Sequence, residues 1–192
     1  VGATLQIKDK LIYVKNAEKL WEVANVLQAL KLCEDDDIVC RFDLDDYLTD
    51  TQALEIIDMQ YRADSDLEVL WTAHRWRDQN GTTNRNISGP LPSTANVYKH
   101  PWVSSHLKTF RKCVINNIKD LNFRGEDGEY VRRAGDQAIF LPILHIAKKR
   151  AYLPIATYAY TCDMNPQTFQ TDDAKFQKSE AETIACNIMV IL

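Results

Sequence analysis

Apolar and polar positions change period several times along the chain. Leu11-Ile12-Tyr13-Val14 is a continuous apolar run of strand length, with Ile7 assigned to a preceding strand. Asn16 can cap the helix that follows, in which Leu20, Trp21, Val23, Ala24, Leu27, Leu30 and Leu32 recur at helical spacing. Glu34 to Asp37 read as a polar turn, and residues 38–44 as a short buried strand ending in acids. Strand, helix and strand in this order predict a β-α-β unit, the building block of a parallel sheet. Thr49 or Asp50 then caps a second helix with Ala53, Leu54, Ile56, Ile57, Met59 and Tyr61 on one side. Leu67 to Ala73 make another strand.

The pattern loosens further on. Arg75 to Arg85 read as a hairpin or loop turning at Asn80-Gly81. Residues 86–105 carry three prolines and many small polar residues, which predicts an irregular loop. Ser104 or Ser105 starts a predicted helix from His106 to Ile118, and Asn122 to Glu129 form a Gly-containing loop. An apolar helix runs from Asp136 through Ile139, Phe140, Ile143, Leu144 and Ala147, with Pro142 inside it. Ala151 to Tyr160 are a strand, 161–173 a loop and 174–192 a terminal helix. Strands alternating with helices argue for an α/β fold, and 192 residues suffice for one domain with one sizeable core.

Composition is ordinary for a globular protein, with 45% hydrophobic and 26% charged residues. No apolar run reaches membrane-spanning length, and Val1-Gly2-Ala3-Thr4 has neither the basic start nor the apolar stretch of a signal peptide. The absence of an initiator Met suggests a trimmed N-terminus. Five widely spaced cysteines without a CxxC pair point to reduced, buried thiols and a cytoplasmic setting. Residues 34–68 hold thirteen acids and two bases, a balance of −11, and residues 69–124 hold nine bases and two acids, a balance of +7. Such blocks are either solvated faces or an acidic metal site facing a phosphate-accepting wall. The acidic total, without a dense basic-aromatic stripe, argues against nucleic acid.

The densest chemistry is Asp43-Leu44-Asp45-Asp46, closing the stretch Asp37-Ile38-Val39-Cys40-Arg41-Phe42. Three carboxylates in four residues repel one another unless a cation sits among them, and a divalent metal favours oxygen ligands. As helix caps they are redundant, since Thr49 and Asp50 suffice. An EF-hand loop needs Gly at its sixth position and Glu at its twelfth, where Leu48 and Leu54 stand. Phe42 to Leu48 resembles the first motif of haloacid-dehalogenase-type phosphatases, which would make Asp43 the nucleophile and Asp45 the acid/base. Tyr47 stands where that family has Thr, and Gly135-Asp136 lacks the further acid of its last motif.

Residues 37–48 are also similar to the Asp-x-Asp-Asp segment of glycosyltransferase family 2. In the second half, Gly125-Glu126-Asp127-Gly128 and Gly135-Asp136-Gln137-Ala138 with its apolar helix resemble the acceptor side of those enzymes. Tyr158-Ala159-Tyr160 resembles their Tyr-x-Tyr strand, and His106 to Arg111 their intervening helix. The resemblance covers residues 11–165. It implies a GT-A-like, Rossmann-like, mostly parallel sheet flanked by helices. Residues 1–73 would form the nucleotide-sugar and metal half and 74–192 the acceptor half, with either the first strand unit of the family missing or the base pocket built differently. The implied activity is that of a hexosyltransferase moving a sugar from a UDP-sugar to a glycan or other hydroxyl acceptor, with inversion and with Mn²⁺ or Mg²⁺. Asp45 and Asp43 would hold the metal, and Asp43, Asp45, Asp46 and Arg41 the donor. Asp136 would be the general base, with Asp127 and Glu126 as rivals. A non-catalytic carbohydrate-binding module is the alternative from another class.

Overall fold

A computed structural model describes residues 11–78, 80–162 and 171–186. The architecture is mixed α/β, with helices on both faces of a six-stranded sheet. The sheet contains β1 (Ile38–Arg41), β2 (Tyr47–Leu48), β3 (Val69–Asp78), β4 (Gly81–Thr83), β5 (Lys108–Arg111) and β6 (Arg150–Thr161). Its order is β1-β5-β3-β6-β2, with β4 paired to β3. The helices are α1 (Trp21–Ala29), α2 (Ala53–Ala63), α3 (Lys112–Ile115), α4 (Gly135–Ile146) and α5 (Asp172–Cys186).

β3 explains the layering. Successive side chains of a strand point to opposite faces. Val69 and Trp71 therefore join Val23 of α1 and Ile139, Phe140, Ile143 and Leu144 of α4 in one core. Leu70, between them, joins Ile57 and Tyr61 of α2, with Leu107 and Tyr158, in a second core on the other face. α2 buries Ala53, Ile57 and Tyr61, an i, i+4, i+8 stripe, while Leu54 and Met59 stay exposed. α4 is buried along almost its whole length, so Pro142 is held by packing inside a continuous helix.

The expectation of a mostly parallel sheet is overturned. Among the described residues only β3 and β6 run parallel; β1–β5, β5–β3, β3–β4 and β2–β6 are antiparallel. Two local misreadings explain this. Leu11 to Val14 form no strand and lie 60–80% exposed, so the first β-α-β unit does not exist. The predicted helix His106–Ile118 is β5 followed by the single turn α3. β5 is covered on both faces, with Lys108 and Phe110 on one side and Leu107 and Thr109 on the other, so period-two alternation is hidden.

Caps also differ from expectation. Asn16 donates to Asn25 Oδ1 at 2.6 Å instead of capping α1, and Asp50 Oδ1 accepts from the Gln52 N–H at 2.8 Å just ahead of α2. The hairpin at Asn80-Gly81 forms as expected, with Asp78 opposite Gly81 and Gly81 at φ +114°, a conformation that favours glycine. The expected strand near Ile7 and most of the loop at 161–173 lie outside the described residues. The division at 73/74 falls inside β3, which is continuous across it. Among the described residues, no helix is long and apolar enough to cross a membrane.

Candidate active site

The acids after β1 occupy three different environments. Asp46 is buried, and both of its oxygens are used. Oδ2 accepts from the Tyr158 hydroxyl, and Oδ1 accepts from the Thr161 N–H at 2.6 Å. Burial pushes its carboxyl up from the usual range, opposed by those two donors, and Asp45 and Asp43 push it further up. Asp43 is half-buried, with Oδ1 accepting from Arg41 Nη2 at 3.2 Å. Its backbone N–H donates to the Tyr158 hydroxyl at 3.4 Å, so one tyrosine ties the backbone of Asp43 to the carboxylate of Asp46. Asp45 is exposed and makes no hydrogen bond or ion pair among the described residues.

His106, which immediately precedes Leu107 and β5, completes the group. One ligand atom each from Asp43, Asp46 and His106 lies within 4.8 Å of the others, close enough for a metal ion to meet all three. The imidazole is stacked on Tyr158, with centroids 4.9 Å apart, and on Tyr160 at 4.8 Å. Those tyrosines are two apart on β6 and therefore share a face, which gives the Tyr-x-Tyr pattern a physical purpose. Burial pushes the His106 pKa down to about 2, with Lys108 contributing, so the ring is neutral at neutral pH, as a metal ligand must be. His74 supports it from behind. Trp76 Nε1–H donates to His74 Nε2 at 3.0 Å, which fixes the proton on Nδ1, facing Ser88 Oγ at 3.1 Å. Both oxygens of Asp46 already accept hydrogen bonds, so a metal ion at this point would share Asp46 with Tyr158 and Thr161.

A second charged group adjoins the first. Arg41 Nη2 bridges Asp43 and Glu22 of α1, the latter at 2.6 Å from Oε1. Lys108 of β5 is only 2% exposed, and its Nζ lies 3.9 Å from Asp136 Oδ2 in the first turn of α4. Burial pushes the Lys108 pKa down to about 8, opposed by Asp136, Asp43 and Glu22. Burial likewise raises Glu22 to about 7, against the pull of Arg41. Asp43 at the end of β1 thus pairs with Arg41, Asp136 at the start of α4 lies beside Lys108, and both acids act on the charge of Lys108. Gly135 makes this possible, because a Cβ there would lie 2.6 Å from Glu22 Oε2.

Asp127 stands elsewhere. It sits in the exposed turn between Gly125 and Gly128, where Oδ1 accepts from the Glu129 N–H at 3.0 Å and Oδ2 lies 3.6 Å from Arg132. Glu126 shares that exposed turn, and both acids line a surface hollow against Phe176 and Glu180 of α5. Asp136 is therefore the acid brought to the charged group, and Asp127 and Glu126 are not. Sequence reasoning missed Glu22, His106 and the role of Tyr158, and it read Lys108, with Arg111, only as a phosphate contact or a surface residue, whereas Lys108 is buried. The signal available was a lysine between Leu107 and Phe110 in a short segment of strand length, which the helical reading concealed.

No protein-family model matches the chain, and a search of curated proteins returns no significant match.

Proposed function

We propose that the protein is a metal-dependent glycosyltransferase of GT-A-like architecture that moves a sugar from a nucleoside-diphosphate donor, a UDP-sugar by preference, to a hydroxyl acceptor such as a glycan. The observation that carries this reading is the convergence of Asp43 and Asp136 on Arg41 and Lys108 from opposite ends of the sequence. A donor site and an acceptor site must meet at one anomeric carbon, and the shared influence of both acids on Lys108 supports this pair.

The roles follow from environment. Asp43 lies within reach of a point shared with His106, where a Mn²⁺ or Mg²⁺ ion would sit, and Asp45 carries an exposed carboxylate two residues on. Asp46, with both oxygens engaged, fixes the loop that presents them. When bound, the metal would neutralise charge on the departing diphosphate. Arg41 offers a second cation on the donor side. Asp136 takes the proton from the acceptor hydroxyl as that oxygen attacks the anomeric carbon, which gives inversion. The exposure of Asp45 fits a ligand shared with an incoming diphosphate.

Asp136→Asn tests the assignment. Removal of a general base is expected to lower transfer by about 10²- to 10⁴-fold. Metal-dependent nucleotide binding should remain as in the parent protein. An active variant would sink the base assignment and point to retention. Release of phosphate from simple phosphomonoesters would favour the phosphatase chemistry of Asp43 and Asp45.

A further inference from the structure

A cavity of about 170 Å³ lies between α1, β1, β5 and α4. Its walls are apolar, with Leu30, Val39, Phe110, Ile139 and Phe140 among them, and Arg41, Lys108 and Asp136 line it too. Two donors are unsatisfied there. Lys108 Nζ is fully buried with no hydrogen-bond partner, its nearest acid being 3.9 Å away, and Arg41 Nη1 is buried and unpartnered as well. A buried ammonium with three unused N–H groups costs several kcal/mol unless something accepts from it. Glu22 Oε1, beside Arg41, is a buried oxygen without a hydrogen-bond partner, but among the described residues no acceptor lies within hydrogen-bond distance of Lys108 Nζ.

Charge and size narrow the occupant. Lys108 and Arg41 already face Asp136, Asp43 and Glu22, so a carboxylate would add a fourth acid to two cations in a low-dielectric space. An uncharged acceptor oxygen meets the donors without that penalty. Apolar cavities of about 150 Å³ take up benzene, so this one holds a body of roughly six or seven carbons. We propose that the cavity is a binding site for a small, uncharged, mostly apolar molecule bearing one hydrogen-bond-accepting oxygen, a ketone or an ether, which points at Lys108 and Arg41. The site requires neither metal nor nucleotide, so it stands or falls independently of the transferase reading.

The test is an NMR titration of the full chain, free of metal and nucleotide, with cyclohexanone, benzene and cyclohexanecarboxylate. Cyclohexanone should bind at least tenfold more tightly than the other two, with shifts centred on Phe110, Ile139 and Phe140. Lys108→Met, which removes a buried charge, should abolish the preference for the ketone over benzene. Ala29→Phe, at the exposed rim, should block all three while leaving the amide spectrum otherwise that of the folded parent. Absence of saturable cyclohexanone binding, tighter binding of the carboxylate, or an unchanged ketone preference in Lys108→Met would each overturn the proposal.

Discussion

Glu22 enters the folded chain at a cost that depends on pH. Its folded pKa of about 7 exceeds the ordinary 4.5 because burial penalises the ionised form more than Arg41 compensates. The folded state then binds the proton more tightly than the unfolded state. Its contribution is full below about pH 4.5 and is lost as pH rises through about 7, a difference of about 3 kcal/mol at most. Denaturant titrations at pH 5 and pH 8 should show Glu22→Gln losing less stability with rising pH than the parent. Parallel curves would contradict the assignment. Tyr158 offers a second check. Its hydroxyl satisfies a buried oxygen of Asp46, so Tyr158→Phe should cost about 1–3 kcal/mol in urea unfolding although it removes a single atom. A loss below about 0.5 kcal/mol would mean that Asp46 finds another donor.

At the scale of elements, the close approach of α1 to α4 turns on Gly135. Gly→Ala in a helix ordinarily stabilises by about 0.4–1 kcal/mol. Here the added Cβ would lie 2.6 Å from Oε2, 2.7 Å from Cδ and 2.9 Å from Cβ of Glu22, a side chain held by its ion pair with Arg41. Gly135→Ala should therefore destabilise by about 1–3 kcal/mol, and Glu22→Ala in the same background should recover part of that loss. Stabilisation by Gly135→Ala would show that α1 yields easily. The helices α2 and α4, the hairpin at Gly81 and the strand β6 were legible because their periodicity or turn chemistry is local. β5 was not. A strand buried on both faces carries no alternation, and its pairing with β1 and β3 is set by chain segments far away.

Across the whole molecule, the same division separates what the residues announced from what folding assembled. Asp43 and Asp136 could be read from their own surroundings, one after an apolar strand and one opening an apolar helix. Glu22 and His106 could not, and the burial of Lys108 could not, because each is ordinary until the sheet places it beside a distant acid. The acidic and basic blocks do not form two opposed walls. Asp35 pairs with Lys112 across them at 2.8 Å, Asp43 pairs within its own block through Arg41, and Asp64 reaches Lys149 beyond both. The mixed sheet sets Asp43 against Arg41 and Asp136 beside Lys108, and the proposed transferase reading rests on that arrangement. The most direct measurement is a thermal-shift titration of UDP, GDP, CDP and dTDP with and without Mn²⁺. At one hundred times Kd, a specific ligand stabilises by about 2.7 kcal/mol. The account predicts stabilisation by UDP only with the metal, lost in Asp43→Asn and kept in Asp136→Asn. No stabilisation by any nucleotide with the metal, or equal stabilisation in Asp43→Asn, would contradict it.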